Sequence, residues 1–125
     1  SWARRCVYET VTSHGKEDSG ATVGDGLKSA PGITDPIWVW VPSIAPSGMA
    51  FYKGDIFPEW QGHILVPSLK FRSLYVVRLE DGKPVSEEAV LKRRIGRIRD
   101  VAVAPDGAVL LLSDEHDGGL YRITR

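Results

Sequence analysis

The sequence predicts an all-β fold of about two four-stranded antiparallel sheets, and three observations carry that prediction. Short apolar runs recur at even spacing from Ile37 to the C-terminus, as the strands of an all-β protein do. The separators between them are turn formers: Pro58 and Gly62, then Asp81-Gly82, Asp106-Gly107 and Asp117-Gly118-Gly119. Glycine supplies positive φ at such positions and aspartate bonds its own backbone. No amphipathic helix of useful length competes. Residues 87–94 include helix formers, yet Val85 and Val90 between flanking turns fit a strand with one polar face equally well.

The length of 125 residues suits one domain, 1–125, with two regions of different character. Residues 12–36 carry Gly15, Gly20, Gly24, Gly26 and Gly32 with no hydrophobic period, which reads as a long loop, functional or disordered. Residues 37–125 hold the expected strands, at 37–41, 48–52, 63–67, 73–79, 85–91, 98–104, 108–113 and 119–124. A loose repeat runs through them: 49–91 reads as four strands and 98–124 as three, with Leu74-Tyr75-Val76-Val77-Arg78-Leu79 echoed by Leu120-Tyr121-Arg122-Ile123. Four-stranded units repeating at roughly 40 to 45 residues are the pattern of β-propeller blades. The second unit lacks an outer strand, and residues 5–11, with Cys6-Val7-Tyr8, are apolar enough to supply one from the other terminus. A plain β-sandwich is the alternative.

Sixteen basic residues balance sixteen acidic ones, so nothing draws the whole molecule to nucleic acid or to an anionic membrane, and any anion site must be local. The single cysteine, Cys6, excludes an internal disulfide and a cysteine-based zinc cluster. No apolar run approaches the roughly 20 residues of a membrane-spanning helix, and no secretory leader pattern is present, so the chain is expected to be soluble. It starts at Ser1, which suits a mature chain or a piece of something longer.

The stretch Gly96-Arg97-Ile98-Arg99-Asp100 opens the alternating run Val101-Ala102-Val103-Ala104. A strict period of two puts Arg97, Arg99 and Val101 on one face and Ile98, Asp100 and Ala102 on the other. A face that begins cationic and ends apolar describes a strand entering a core from an anion-binding mouth. It equally describes two arginines reaching from a strand end into water. Asp114-Glu115-His116-Asp117 is read as a solvated hairpin tip, because four consecutive residues cannot all face one ion. Asp18 and Asp25 lack the alternation of an EF-hand loop, and Gly24-Asp25-Gly26 is too short for a phosphate loop. His14, His63 and His116 read as surface or strand residues. The aromatic concentration of Trp38, Trp40, Phe51, Tyr52, Phe57 and Trp60 suits either a core between sheets or a sugar-binding wall.

Three motifs in register carry a resemblance. Trp40-Val41-Pro42-Ser43-Ile44-Ala45-Pro46-Ser47-Gly48-Met49-Ala50-Phe51-Tyr52, then Gly62-His63-Ile64-Leu65-Val66-Pro67-Ser68-Leu69-Lys70, then Gly96-Arg97-Ile98-Arg99-Asp100 with Pro105-Asp106-Gly107, closely resemble the soluble aldose sugar dehydrogenases that use pyrroloquinoline quinone (PQQ). The resemblance runs from about Gly20 to the C-terminus and covers only the last third of such an enzyme. It implies a six-bladed propeller with PQQ and calcium on one face, where a histidine takes a proton as hydride leaves an aldose. It also implies that Lys70, Arg97 and Arg99 are cofactor-binding residues reaching the carboxylates or quinone oxygens. A carboxylated quinone needs fixed cations, and arginine forks suit carboxylates.

The departures from the family pattern count as well. The catalytic histidine, its neighbouring acid and an Arg-Asn-x-Gln group have no counterpart here. Of the Gly-Trp-Pro turn that precedes the calcium carbonyls only Trp2 survives, with Ala3 in the place of proline. Catalytic and metal-ligating residues are therefore expected to be absent, leaving the chain inactive alone as part of a quinone-dependent sugar dehydrogenase, or a non-catalytic ligand-binding or structural module. Two blades cannot close a ring, so the chain is expected to need N-terminal blades or a homo-oligomer, three copies making six blades. A sugar ligand and a periplasmic or secreted location follow from the resemblance alone.

Overall fold

The computed structural model describes residues 31–32 and 34–125. The chain separates into two compact units, Ser1–Ser43 and Ile44–Arg125. In the first, the described residues form turns and irregular backbone, and the strand expected at 37–41 is not there. Pro36 and Pro42 bracket that run, and proline has no N–H to give a ladder while it also restricts the residue before it. The candidate outer strand at 5–11, Trp2, Cys6, His14, Asp18, Asp25 and nearly all of the 12–36 loop lie outside the described residues.

The second unit is all-β, as predicted, and antiparallel throughout. Strands β1 (Ala50–Phe51), β2 (Ile64–Ser68), β3 (Ser73–Glu80) and β4 (Lys83–Val90) form one sheet in chain order. Strands β5 (Ile98–Val103), β6 (Val109–Ser113) and β7 (Leu120–Ile123) form another. Among the described residues the second sheet has three strands, the number that the repeat gives for 98–124. A single 3₁₀ turn, Pro58–Trp60, with Pro58 at its first position where an N–H is dispensable, interrupts the β1–β2 connection.

Each sheet turns one face to the other across a shared core. Leu65 pairs with Val76 and Pro67 with Leu74, so these four share a face, and alternation sends Ile64, Val66 and Val77 to the opposite one. The core joins Leu65, Leu74 and Val76 to Ile98, Val101, Val109 and Leu111 of the second sheet, closed below by Tyr52, Phe57 and Trp60. Burying each such side chain is worth about 1.5–3 kcal/mol. The aromatic concentration is thus resolved in its second half as core: Phe57 stacks on Trp60 at 4.3 Å between centroids, and Tyr52 meets both edge-on at 6.0 Å. Phe51 points outward.

The strict alternation expected across 97–103 fails at one residue. Ile98 pairs with Ser113 and Asp100 with Leu112, so Arg99 is an extra residue without a partner on β6. This β-bulge advances the frame by one. Ile98 and Val101, which alternation assigns to opposite faces, are both buried in the same core at 0% and 7% exposure.

Candidate functional site

Strands β2, β4 and β6 end, and β3, β5 and β7 begin, at the same end of the sheets, so every connection bearing the expected cationic residues gathers there. Backbone and hydroxyl bonds lace these connections together. The Ser47 hydroxyl donates to the Ile98 carbonyl at 2.6 Å, holding the segment before β1 against the start of β5. The Ser68 hydroxyl donates to the Ile44 carbonyl at 2.5 Å and accepts the Phe71 N–H at 3.0 Å. The Arg93 N–H donates to the Arg72 carbonyl at 2.9 Å, and the Asp114 N–H to the Arg97 carbonyl at 2.7 Å.

Lys70 stands on the β2–β3 turn, its N–H donating to the Ile44 carbonyl at 3.3 Å. Its ammonium lies 5.5 Å from the centroid of the Phe71 ring, a cation–π contact at an exposed position. Arg97 precedes β5 and Arg99 is the bulged residue within it. Both guanidiniums converge on one oxygen, Asp114 Oδ2, Arg99 at 3.2 Å and Arg97 at 3.6 Å. Each offers one Nη to that oxygen, and the side chains remain about half exposed, 47% for Arg97 and 56% for Arg99. A guanidinium has five N–H donors in a planar fork, so each arginine has further donors of the kind that match a carboxylate.

Glu115 completes the arrangement. Its carboxylate accepts the Arg97 N–H at 2.8 Å and closes over Gly96, whose φ is +94°. The positive φ demands glycine here, and a Cβ on Gly96 would also displace the Glu115 carboxylate that bonds the Arg97 N–H. Asp114-Glu115-His116-Asp117 forms the β6–β7 turn, with Glu115, His116 and Asp117 exposed as a solvated tip is, and the first two carboxylates also bond the Arg97–Arg99 strand. The sequence held a usable signal, because a hairpin that turns at Asp106-Gly107 and sets Ile98 opposite Ser113 sets Arg97 opposite Asp114.

The other candidates stand apart from this cluster. His63, at the opposite end of β2, uses its imidazole structurally: Nδ1 accepts the Leu79 N–H at 3.0 Å. His116 is exposed on the β6–β7 turn. Among the described residues no group of three or more His, Cys, Asp or Glu side chains is arranged to hold a metal ion. An open depression of about 510 Å³ lies at the far end, lined by Lys53, Gly54, Asp55, Gln61 and the Val103-Ala104-Pro105 turn.

The assembled end is a cationic edge with two arginine forks, and comparison with known proteins gives it a context. A family model described as Glucose / Sorbosone dehydrogenase matches residues 10–122. The aldose sugar dehydrogenase of Escherichia coli is 38% identical over 93 residues, 74% of this chain and 25% of that protein. A crystal structure of a glucose dehydrogenase superimposes with a TM-score of 0.82 at 36% identity, covering 92% of this chain and 34% of the other. The PQQ-bound form of an aldose sugar dehydrogenase from Streptomyces coelicolor superimposes with a TM-score of 0.56 at 25% identity, covering 80% of this chain and 29% of that one. The chain thus spans about a quarter to a third of the length of these relatives. The matching motifs, the two antiparallel sheets and the family model agree, and the chain belongs to the glucose/sorbosone dehydrogenase family.

Proposed function

We propose that this chain is a C-terminal part of a PQQ-dependent sugar dehydrogenase propeller and supplies the edge that holds the carboxylated quinone. The observation that supports this reading is the convergence of Arg97 and Arg99 at one end of the sheets with each side chain still about half exposed. That donor set fits a polycarboxylate: charge-assisted bonds from arginine to carboxylate are shorter and stronger than neutral ones, and paired forks fix orientation as well as affinity. Lys70, on the neighbouring turn of the same end, adds a third cation. Bound quinone would supply the hydride acceptor for an aldose. This chain's residues would anchor its carboxylates, orient its plane and stabilise charge on its oxygens.

The base that takes the sugar proton is assigned to another part of the protein, since His63 is engaged with the Leu79 N–H. Calcium follows from the family resemblance alone, and no step is routed through it. The outer face of the second sheet supports a further part of the proposal. Leu112 and Leu120, paired across β6 and β7, are 43% and 70% exposed. A neighbouring blade would cover them, from preceding blades of a longer chain or from two further copies in a trimer of two-blade chains. A periplasmic or secreted location accompanies this reading.

Titration of the full chain with PQQ tests it. Saturable binding is expected, weakened roughly 10- to 100-fold by Arg97→Ala or Arg99→Ala, the range for loss of a charge-assisted bond. Sugar-dependent dye reduction by the chain alone is not expected. Absence of saturable binding would sink the proposal.

A further inference from the structure

Asp114 sits where a purely electrostatic view of an anion site would not want it. Its carboxylate faces both guanidiniums, Glu115 adds a second negative charge beside Arg97, and a carboxylated ligand approaching this edge meets two acids as well as two bases. The geometry gives Asp114 a different part. Both arginines reach the same oxygen, Oδ2, and each through a single Nη. One atom therefore holds two like-charged groups side by side and sets the spacing between them while leaving the remaining donors of each fork uncommitted.

The backbone holds Asp114 at this place independently of its side chain. Its N–H donates to the Arg97 carbonyl at 2.7 Å, and the Arg97 N–H is taken by Glu115 at 2.8 Å, so the β6–β7 turn and the start of β5 are joined by two further bonds. Arg97 and Arg99 flank the fully buried Ile98, and alternation about that residue turns both toward the same carboxylate. Arg99, as the bulged residue, has no partner on β6.

We infer that Asp114 is a positioning residue for anion binding at this edge, a pin that holds the Arg97 and Arg99 forks in one spacing so that a dicarboxylate or larger polycarboxylate meets them already aligned. The inference rests on the anion-binding reading of the two arginines and extends it to a residue of opposite charge. Its benefit is entropic: two long, half-exposed side chains are ordered before the ligand arrives, which lowers the cost of ordering them on binding.

The sign of the effect separates this role from simple charge. Asp114→Asn keeps the shape and removes one negative charge, so electrostatics alone tightens binding of an anion. A pin that has lost its charge weakens it. PQQ titration of the full chain is expected to give about three- to fivefold weaker binding for Asp114→Asn, the range of a partly exposed ion pair, with Asp114→Glu recovering part of the loss. In the unliganded protein, ¹⁵N relaxation at the Arg97 and Arg99 Nε–H groups is expected to show ordered side chains that become mobile in Asp114→Asn. Unchanged arginine dynamics, or tighter binding by Asp114→Asn, overturns the inference while leaving the arginine reading intact. Failure of the wild-type chain to bind PQQ, or indifference of binding to Arg97→Ala and Arg99→Ala, overturns the arginine reading and this inference with it.

Discussion

The Tyr52 hydroxyl donates to the Gly107 carbonyl at 2.7 Å and accepts the Phe57 N–H at 3.0 Å, joining the loop after β1 to the β5–β6 turn of the second sheet. Tyr52 is 1% exposed, so neither bond has water as an alternative. Tyr52→Phe keeps the ring in the core and strands a buried N–H and a carbonyl. The expected loss is about 1–3 kcal/mol of unfolding free energy, read from urea melts followed by circular dichroism. An unchanged midpoint would show that the two sheets are not coupled through this hydroxyl.

Gly54 passes closest to the second sheet at the same end. A Cβ built on it would lie 2.5 Å from the Gly107 Cα and 3.0 Å from the Tyr52 hydroxyl. Because the nearest atom is backbone, no rotamer change relieves the clash. Gly54→Ala is expected to destabilise by about 1–3 kcal/mol, the cost of overpacking, despite being a one-carbon change in a half-exposed loop. Thermal melts of the variant beside wild type decide this, and a wild-type Tm would refute the close approach.

Asp106 gives a pH signature. Its carboxylate accepts the Ala108 N–H at 3.1 Å and pairs with the Arg122 guanidinium. The backbone bond from Ala108 foremost, and then Arg122, hold its carboxyl below the ordinary value. A depressed folded-state pKa stabilises above the unfolded pKa, and that stabilisation is lost as pH falls through the folded one. Asp106→Asn is therefore expected to be less stable than wild type by a constant margin above about pH 5, with the margin closing below about pH 4. A margin that stays constant down to pH 2 would assign the effect to the turn alone. Added salt should shrink the Arg122 share of it, since the pair is exposed.

The outer face of the second sheet bears on assembly. Leu112 and Leu120 sit opposite each other on β6 and β7 and are largely exposed. If two-blade chains assemble in threes, light scattering behind size-exclusion chromatography should return three chain masses. The double variant Leu112→Asp with Leu120→Asp should return one. A wild-type monomer would rule out the trimer and leave this face to blades of a longer chain.

How far the sequence spoke depends on whether the signal was local. The Asp106-Gly107 turn was legible because aspartate and glycine act within a few residues of themselves, and the structure shows both the Ala108 bond and a Gly107 φ of +91°. The polar strand β4 was legible for the same reason, its flanking turns outweighing the helix formers within it. The run 37–41 misled because apolar content alone made it look like a strand, whereas the flanking prolines deny it a ladder. The cationic end was half legible. Arg97 and Arg99 stood out by type and Lys70 through the family resemblance alone, while the pairing of Asp114 and Glu115 with the arginine strand was missed because reading them as a tip ignored the hairpin register that brings them back across β5. No periodicity rule announces a bulge, so the shared burial of Ile98 and Val101 emerged only from the pairing itself.

The extra residue at Arg99 also marks where this strand can change length. Removing it restores the simple two-residue rhythm, and in that rhythm Ile98 and Val101 stand two residues apart on one face, so both keep their place in the core. Removing Ala102 instead puts Val101 and Val103 on opposite faces. Among related sequences, therefore, a one-residue gap in β5 should fall at the bulge and not between Val101 and Val103.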